Sequence, residues 1–308
     1  MPDLVRKLFL FVIVNIIRII DAFILFFTAH KRPLVQGVRV ERIKIPSRDR
    51  CRSIAALKYT PEGATGKLPV YLSWHASGFM LKRLGIDRHM HSLFCKELNT
   101  VVIDAAYRKS PEHKFPAAHQ DAEDVLLWVI ASMDQFDTSK IVLGGSSAGG
   151  NIALNMSVRF YPRIKGCFAL YASTMLVVGQ RRRAPNPNYK SGVVLSRLGY
   201  RLIGAAHFST YEEYNDLRFN AINADTRMFP DYMLFACGDA DSLYSDSKHL
   251  FEKVQSEGSK TQRAHTEFLT IPNEAHEFNN IPRHPDSYVA RDKLYAAAID
   301  MIRAAQAS

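Results

Sequence analysis

Ser147, Asp241 and His276 are a hydroxyl, a carboxylate and an imidazole, met along the chain in an order that suits nucleophilic acyl transfer. Ser147 lies at the centre of Gly145-Ser146-Ser147-Ala148-Gly149, where the apolar run Ile141-Val142-Leu143 stops and a helix-type run, residues 150–156, begins. A G-x-S-x-G pentapeptide between strand and helix is a nucleophile elbow. It holds the serine in a strained conformation above the sheet, and its glycines remove side chains that would clash. The first N–H groups of the following helix favour negative charge developing beside that serine. A serine hydroxyl is a weak nucleophile until a base takes its proton. In a sheet of this kind the acid and then the base follow the serine, each in a loop after a later strand. Asp241 follows the apolar run ending at Cys237, and His276 follows the run ending at Ile271. His276 is therefore the expected base, with Asp241 fixing its tautomer and stabilising the imidazolium. Asp239 and Asp246 are turn or cap residues that compete with Asp241. His265 is a rival base that precedes its strand, at the wrong end of the sheet.

These residues need a scaffold, and the hydropathy pattern supplies one. Residues 38–45 alternate with period two, as an edge strand does, and residues 53–59 read as its hairpin partner across the chain. Residues 68–74 and 100–104 are nearly continuous apolar runs, the mark of strands covered on both faces. Further strands are expected from Ile141 and over 166–171, 232–237 and 266–271. Helices are expected over 86–98, 117–133 and 288–304. Strand alternating with helix argues for right-handed crossovers and a mostly parallel eight-stranded sheet flanked by helices. The roughly sixty residues between the strands at 166–171 and 232–237 read as irregular, and a piece that long is usually a functional insertion over the sheet end.

The chain has 308 residues and a formal net charge of +10. That length suits one α/β domain, and the basic residues are dispersed apart from Arg181-Arg182-Arg183 and the ends of the first helix. A basic surface suited to an anionic membrane fits better than a nucleic-acid partner. Cys51, Cys95, Cys167 and Cys237 are far apart, without a Cys/His set, so buried free thiols are expected and no metal site. Asn155-Met156-Ser157 matches a glycosylation acceptor but falls inside the helix after the elbow. Residues 8–28 are the most apolar segment and are long enough to span a bilayer. Asn15, Arg18 and Asp21 interrupt them, and Arg18 and Asp21 could pair at i, i+3. A spanning anchor, an in-plane amphipathic helix and a cap helix over the site all remain open.

The loop Trp74-His75-Ala76-Ser77-Gly78-Phe79 follows a strand, where the HGGG-type loop of esterases and lipases is found. With it, the chain resembles the hormone-sensitive-lipase-like branch of the α/β-hydrolases, which includes arylacetamide deacetylase and many microbial and fungal esterases. Residues 104–118, Asp104-Ala105-Ala106-Tyr107-Arg108-Lys109-Ser110-Pro111-Glu112 onward, are similar to that family's D-Y-R-L-A-P-E-x-x-F-P-A-A block. The elbow is similar to its G-D-S-A-G-G, Asp241-Ser242-Leu243 to its D-P-L, and His276-Glu277-Phe278 to its H-G-F.

The resemblance implies an α/β-hydrolase domain over 37–308, capped by the apolar residues 1–36 and by an insertion over about 172–225. It implies Ser147, Asp241 and His276 as the catalytic residues, and backbone N–H groups of Ser77, Gly78 and Ala148 as the oxyanion hole. His75 would hold the loop rather than carry a proton. The activity implied is hydrolysis of a small lipophilic ester, acetyl ester or lactone, with no cofactor, and with a non-catalytic receptor on the same fold as the rival. Phe79, Tyr189, Val193, Val194 and Leu195 are candidate lining. The expected location is intracellular, at the endoplasmic-reticulum membrane or alternatively cytoplasmic. Ala76 and Ser77 replace two glycines of H-G-G-G. This narrows the space beside the acyl carbon, disfavours bulky or tertiary-alcohol esters, and conflicts with any positive φ there.

Overall fold

The computed structural model describes residues 2–175 and 186–308, so Arg181-Arg182-Arg183 lie outside the described residues. The first half runs α1 (Pro2–Phe27), β1 (Val38–Pro46), β2 (Ser53–Pro61), β3 (Leu68–Trp74), α2 (Arg88–Leu98), β4 (Val101–Ala105), α3 (Ala117–Ala131), β5 (Phe136–Ser146) and α4 (Ala148–Arg159). The second half runs β6 (Ile164–Leu170), α5 (Arg197–His207), β7 (Tyr232–Gly238), α6 (Tyr244–Glu257), α7 (Lys260–His265), β8 (Thr266–Ile271) and α8 (Pro285–Ala307). Every run that reads as a strand is one, and the eight form a single sheet of order β1-β2-β4-β3-β5-β6-β7-β8. β2 is antiparallel to both β1 and β4, and the remaining pairs are parallel.

Period-two alternation sorts the central strands' side chains onto two covered faces. Val70, Leu72, Ile103, Ile141 and Leu143 pack with Val125 of α3 and Ile152 of α4. Tyr71, Val102, Val142, Phe168 and Leu234 pack with Phe94 of α2 and Leu294, Tyr295 and Ile302 of α8. The strand ends are thereby fixed between two helical layers. The loops after β3, β5, β7 and β8 carry the candidate residues at their carboxyl ends, where open α/β sheets present their sites.

Several expectations are corrected. The insertion contains α5, whose N-cap Ser196 accepts a hydrogen bond from the Gly199 N–H, together with short 3-10 turns. Asn151 of α4 ties it down by donating from Nδ2 to Phe219 O and Ser173 O, both at 2.7 Å. Cys51 is exposed, while the other three thiols are buried. The acceptor pattern falls where expected: Asn155 and Ser157 are buried within α4, away from solvent.

Arg18 and Asp21 do not pair with each other. Both face the protein and are buried. Arg18 donates to Glu112 Oε1 and Oε2 at 2.5 and 2.8 Å, to Met80 O at 2.9 Å and to Ser110 O at 2.8 Å. Asp21 accepts from Arg83 Nε at 2.9 Å, and Arg83 Nη1 also pairs with Glu277. Removing one partner of such a pair typically costs about 3–5 kcal/mol, because a buried charge is left uncompensated. The polar stripe of α1 is therefore its docking face. The apolar side, including Phe9, Ile16, Phe23 and Phe26, points outward.

Candidate active site

β5 ends at Ser146 and α4 starts at Ala148, so Ser147 alone makes the turn, with φ 56° and ψ −116°. Such a conformation costs a non-glycine residue roughly 1–3 kcal/mol and persists only when its surroundings hold it. Here they do. A Cβ on Gly145 would stand 2.4 Å from the Gly149 carbonyl, and one on Gly149 would stand 1.8 Å from Trp74 O. Only glycines at these two positions let α4 cross so close to β3 and β5.

The Ser147 hydroxyl lies 3.0 Å from His276 Nε2, and His276 Nδ1 lies 2.7 Å from Asp241 Oδ2. All three side chains are buried. Asp241 Oδ1 accepts the Leu243 N–H at 2.8 Å, which orients the carboxylate. Burial pulls the His276 pKa down, and the charge and hydrogen bond of Asp241 more than offset it, so the net shift is upward from 6.5. Tyr171 packs on the His276 ring at 4.6 Å and donates its hydroxyl to Asn279 at 2.8 Å. The backbone of His276 exchanges two hydrogen bonds with Val193 of the insertion. The rivals go elsewhere. Asp239 accepts the Asn273 N–H at 2.7 Å, and His265, before β8, stacks on Tyr232 at the start of β7.

Ser77, Gly78 and Ala148 line one cavity of about 220 Å³ with Ser147 and His276. Ala76 and Ser77 keep ordinary negative φ. The left-handed positions are Gly78 at φ 54° and Phe79 at φ 59°, so the two replaced glycines bring no backbone conflict. The loop is braced from behind: Tyr107 donates to His75 O at 2.6 Å, and the Ser77 hydroxyl sits 2.7 Å from Tyr107 Oη. Burial, and after it the neighbouring Lys109, lower the His75 pKa to about 4. His75 Nε2 lies 3.1 Å from Lys109 Nζ, and His75 is not among the residues lining the cavity of Ser147. A larger cavity of about 590 Å³, lined by His75, Tyr107 and Lys109, shares only Arg83 with the first.

The sequence matches the family described as α/β hydrolase fold over residues 71–280. The chain belongs to the α/β-hydrolases. The chain is 38% identical over 102 residues to Carboxylesterase 20 of Arabidopsis thaliana, a stretch covering 30% of this chain and 31% of that protein. It thus spans about a third of the length of that relative. It is 25% identical over 254 residues to the versiconal hemiacetal acetate esterase of Dothistroma septosporum, covering 77% of this chain and 74% of the other. The esterase of Pyrobaculum calidifontis superposes with a TM-score of 0.77 at 25% identity, covering 94% of this chain and 92% of that one. The resemblance read from the four motifs stands on these matches.

In the cavity of Ser147, Phe79, Val193 and Leu195 fall on the wall as expected from sequence, while Tyr189 and Val194 do not. Ile17 of α1 and Tyr200, Leu202 and Ile203 of α5 also line it. Sequence reasoning passed over these four, and over Tyr107, Tyr171 and Arg83. An apolar residue at the fourth position of a helical turn signals burial but not what it is buried against. The signal available was Glu277: it stands where the family's H-G-F motif has glycine, at φ 61°, and its carboxylate pairs with Arg83.

Proposed function

We propose that this protein is a carboxylic ester hydrolase working through an acyl-enzyme on Ser147. The observation that carries the reading is His276, held between the Ser147 hydroxyl and the Asp241 carboxylate at hydrogen-bond distance inside an apolar cavity. His276 Nε2 takes the Ser147 proton as Oγ attacks the ester carbonyl. The imidazolium, stabilised by Asp241, returns it to the leaving alkoxide. Water, deprotonated by the same nitrogen, then releases the acid. The backbone N–H groups of Ser77, Gly78 and Ala148 stabilise the oxyanion, and losing one such donor typically costs about 2.7–4 kcal/mol.

Residues 1–36 and the insertion form the cap. A cavity of about 220 Å³ lies below the range of drug-sized pockets, which favours acetyl and other short acyl groups on a lipophilic alcohol, or a small lactone. The outward apolar side of α1 favours membrane contact. A receptor on the same fold would have no use for an aligned base and a strained serine, so the catalytic reading leads.

The test is labelling with a fluorophosphonate probe, the modified residue being mapped by mass spectrometry. Labelling at Ser147 that disappears in His276→Ala is expected. Unlabelled, folded wild-type protein would move the reading to a ligand-binding role.

A further inference from the structure

We propose that α1 lies in the plane of an anionic lipid surface, polar side toward the protein and apolar side in the lipid, so that the cavity of Ser147 opens beside the bilayer. The inference deepens the membrane contact proposed above, and it chooses one geometry among the three that the sequence leaves open.

An amphipathic helix on a water-soluble protein turns its apolar stripe to the core. α1 does the reverse. Arg18 and Asp21 are buried against Glu112 and Arg83, while Leu4 is 72% exposed, Phe23 62% and Phe26 76%. Val12, Ile16, Ile19, Ile20 and Phe27 continue this stripe along the helix. A contiguous apolar surface of this extent marks an interaction site on a folded protein.

Length alone permits a span, since 26 residues make a helix roughly 39 Å long. The polar contacts do not. To cross a bilayer α1 would leave Glu112 and the Met80 and Ser110 carbonyls without Arg18, and would carry Arg18 and Asp21 into hydrocarbon. In the plane, every one of these contacts survives and only the apolar stripe enters the lipid.

Charge selects the lipid. From Leu4 onward the one carboxylate of α1 is the buried Asp21, and α5 has none. Arg6 and Lys7 are exposed at one end of α1, and Arg197 and Arg201 are exposed on α5 beside the exposed Leu198. Val14 of α1 packs with Leu202 and Ile203 of α5, so the two helices present one surface, apolar with a basic margin. Anionic headgroups complement such a margin. The same helices line the cavity through Ile17, Leu202 and Ile203, placing its wall at the lipid boundary.

The full-length protein is floated with phosphatidylcholine vesicles, with and without phosphatidylserine, beside the variant Phe9→Glu/Ile16→Glu/Phe23→Glu. Hydrolysis of water-soluble p-nitrophenyl butyrate is followed in parallel. Flotation that needs phosphatidylserine, weakens at least about tenfold in the variant, and is reversed by alkaline carbonate supports the proposal, given unchanged hydrolysis in solution. Absence of flotation, equal flotation of the variant, or retention through carbonate with an N-terminal tag on the far side of the membrane overturns it. Self-association that the variant abolishes, without vesicle binding, assigns the face to a second copy. Flotation without hydrolysis of any ester would leave the docking and remove the hydrolase reading instead.

Discussion

Asp241 sets the proton affinity of His276 as well as its orientation. The upward shift of that imidazole from 6.5 means that its neutral, proton-accepting form appears only as pH rises through a value above 6.5. The kcat/KM profile of the free enzyme should show its acid limb there. In Asp241→Asn the charge that raises the pKa is gone, so burial dominates and the limb should move to lower pH. The rate on the neutral plateau should fall by on the order of 10⁴ from loss of the correct tautomer. A limb that does not move would separate Asp241 from His276. The juxtaposition of Ser147, Asp241 and His276 was legible because the proposed chemistry requires them at strand ends in a fixed order, and the strand runs are visible in hydropathy. Glu277 stood in the sequence only within a motif similar to H-G-F, and its role was not legible there. Its left-handed backbone costs about 1 kcal/mol that glycine would avoid, yet its carboxylate is buried against Arg83. Glu277→Gly therefore exchanges a conformational gain for a lost ion pair, and the larger buried term wins. A fall in thermal midpoint is expected, and a rise would show that Arg83 is satisfied by Asp21 alone.

Arg83 makes one linkage out of three elements, because it holds Asp21 of α1 and Glu277 of the histidine loop at once. Asp21→Ala should then do more than loosen a helix. Unfolding free energy should fall by about 3 kcal/mol, and kcat/KM for a water-soluble ester should drop several-fold as Glu277, next to His276, loses its fixed partner. Normal kcat/KM in the folded variant would confine Asp21 to structure. Deleting residues 1–30 removes Arg18 and Asp21 together and uncovers Met80, Leu202 and Ile203, so lower stability and aggregation are expected rather than an intact, merely unanchored enzyme. The strands could be read from sequence because continuous apolar runs have few other uses. α5 could not. Its residues Leu198, Leu202 and Ile203 have helical spacing, but two glycines and two arginines among eleven residues mask it, and its apolar face is completed by α1, far away in sequence. The inverted orientation of α1 escaped for the same reason: Glu112 and Arg83 decide which side faces inward, and nothing near residues 18–21 reveals them.

The molecule is layered in stability as it is in space. β3, β5 and β6 lie inside the sheet with paired strands on both sides and helices on both faces, so their amides can exchange only when the whole domain opens. α1 and α5 pack against the body on one side, through a small cluster around Val14, Met80 and Ala206 and through the ion pairs of Arg18 and Arg83. Elements with fewer buried apolar contacts open at lower free energy than the global transition. Native-state hydrogen exchange should accordingly find the amides of β3, β5 and β6 at the global limit and those of α1 and α5 several kcal/mol below it, on the scale of the ion pairs that hold α1. The Asp21→Ala substitution should widen this gap by accelerating exchange in α1 while leaving the ranking among the sheet strands unchanged. If α1 exchanged as slowly as the sheet core, docking of the cap and folding of the domain would be one event. The cap would then open for substrate without α1 leaving its place, and the moving part would have to be α5 and the chain around it.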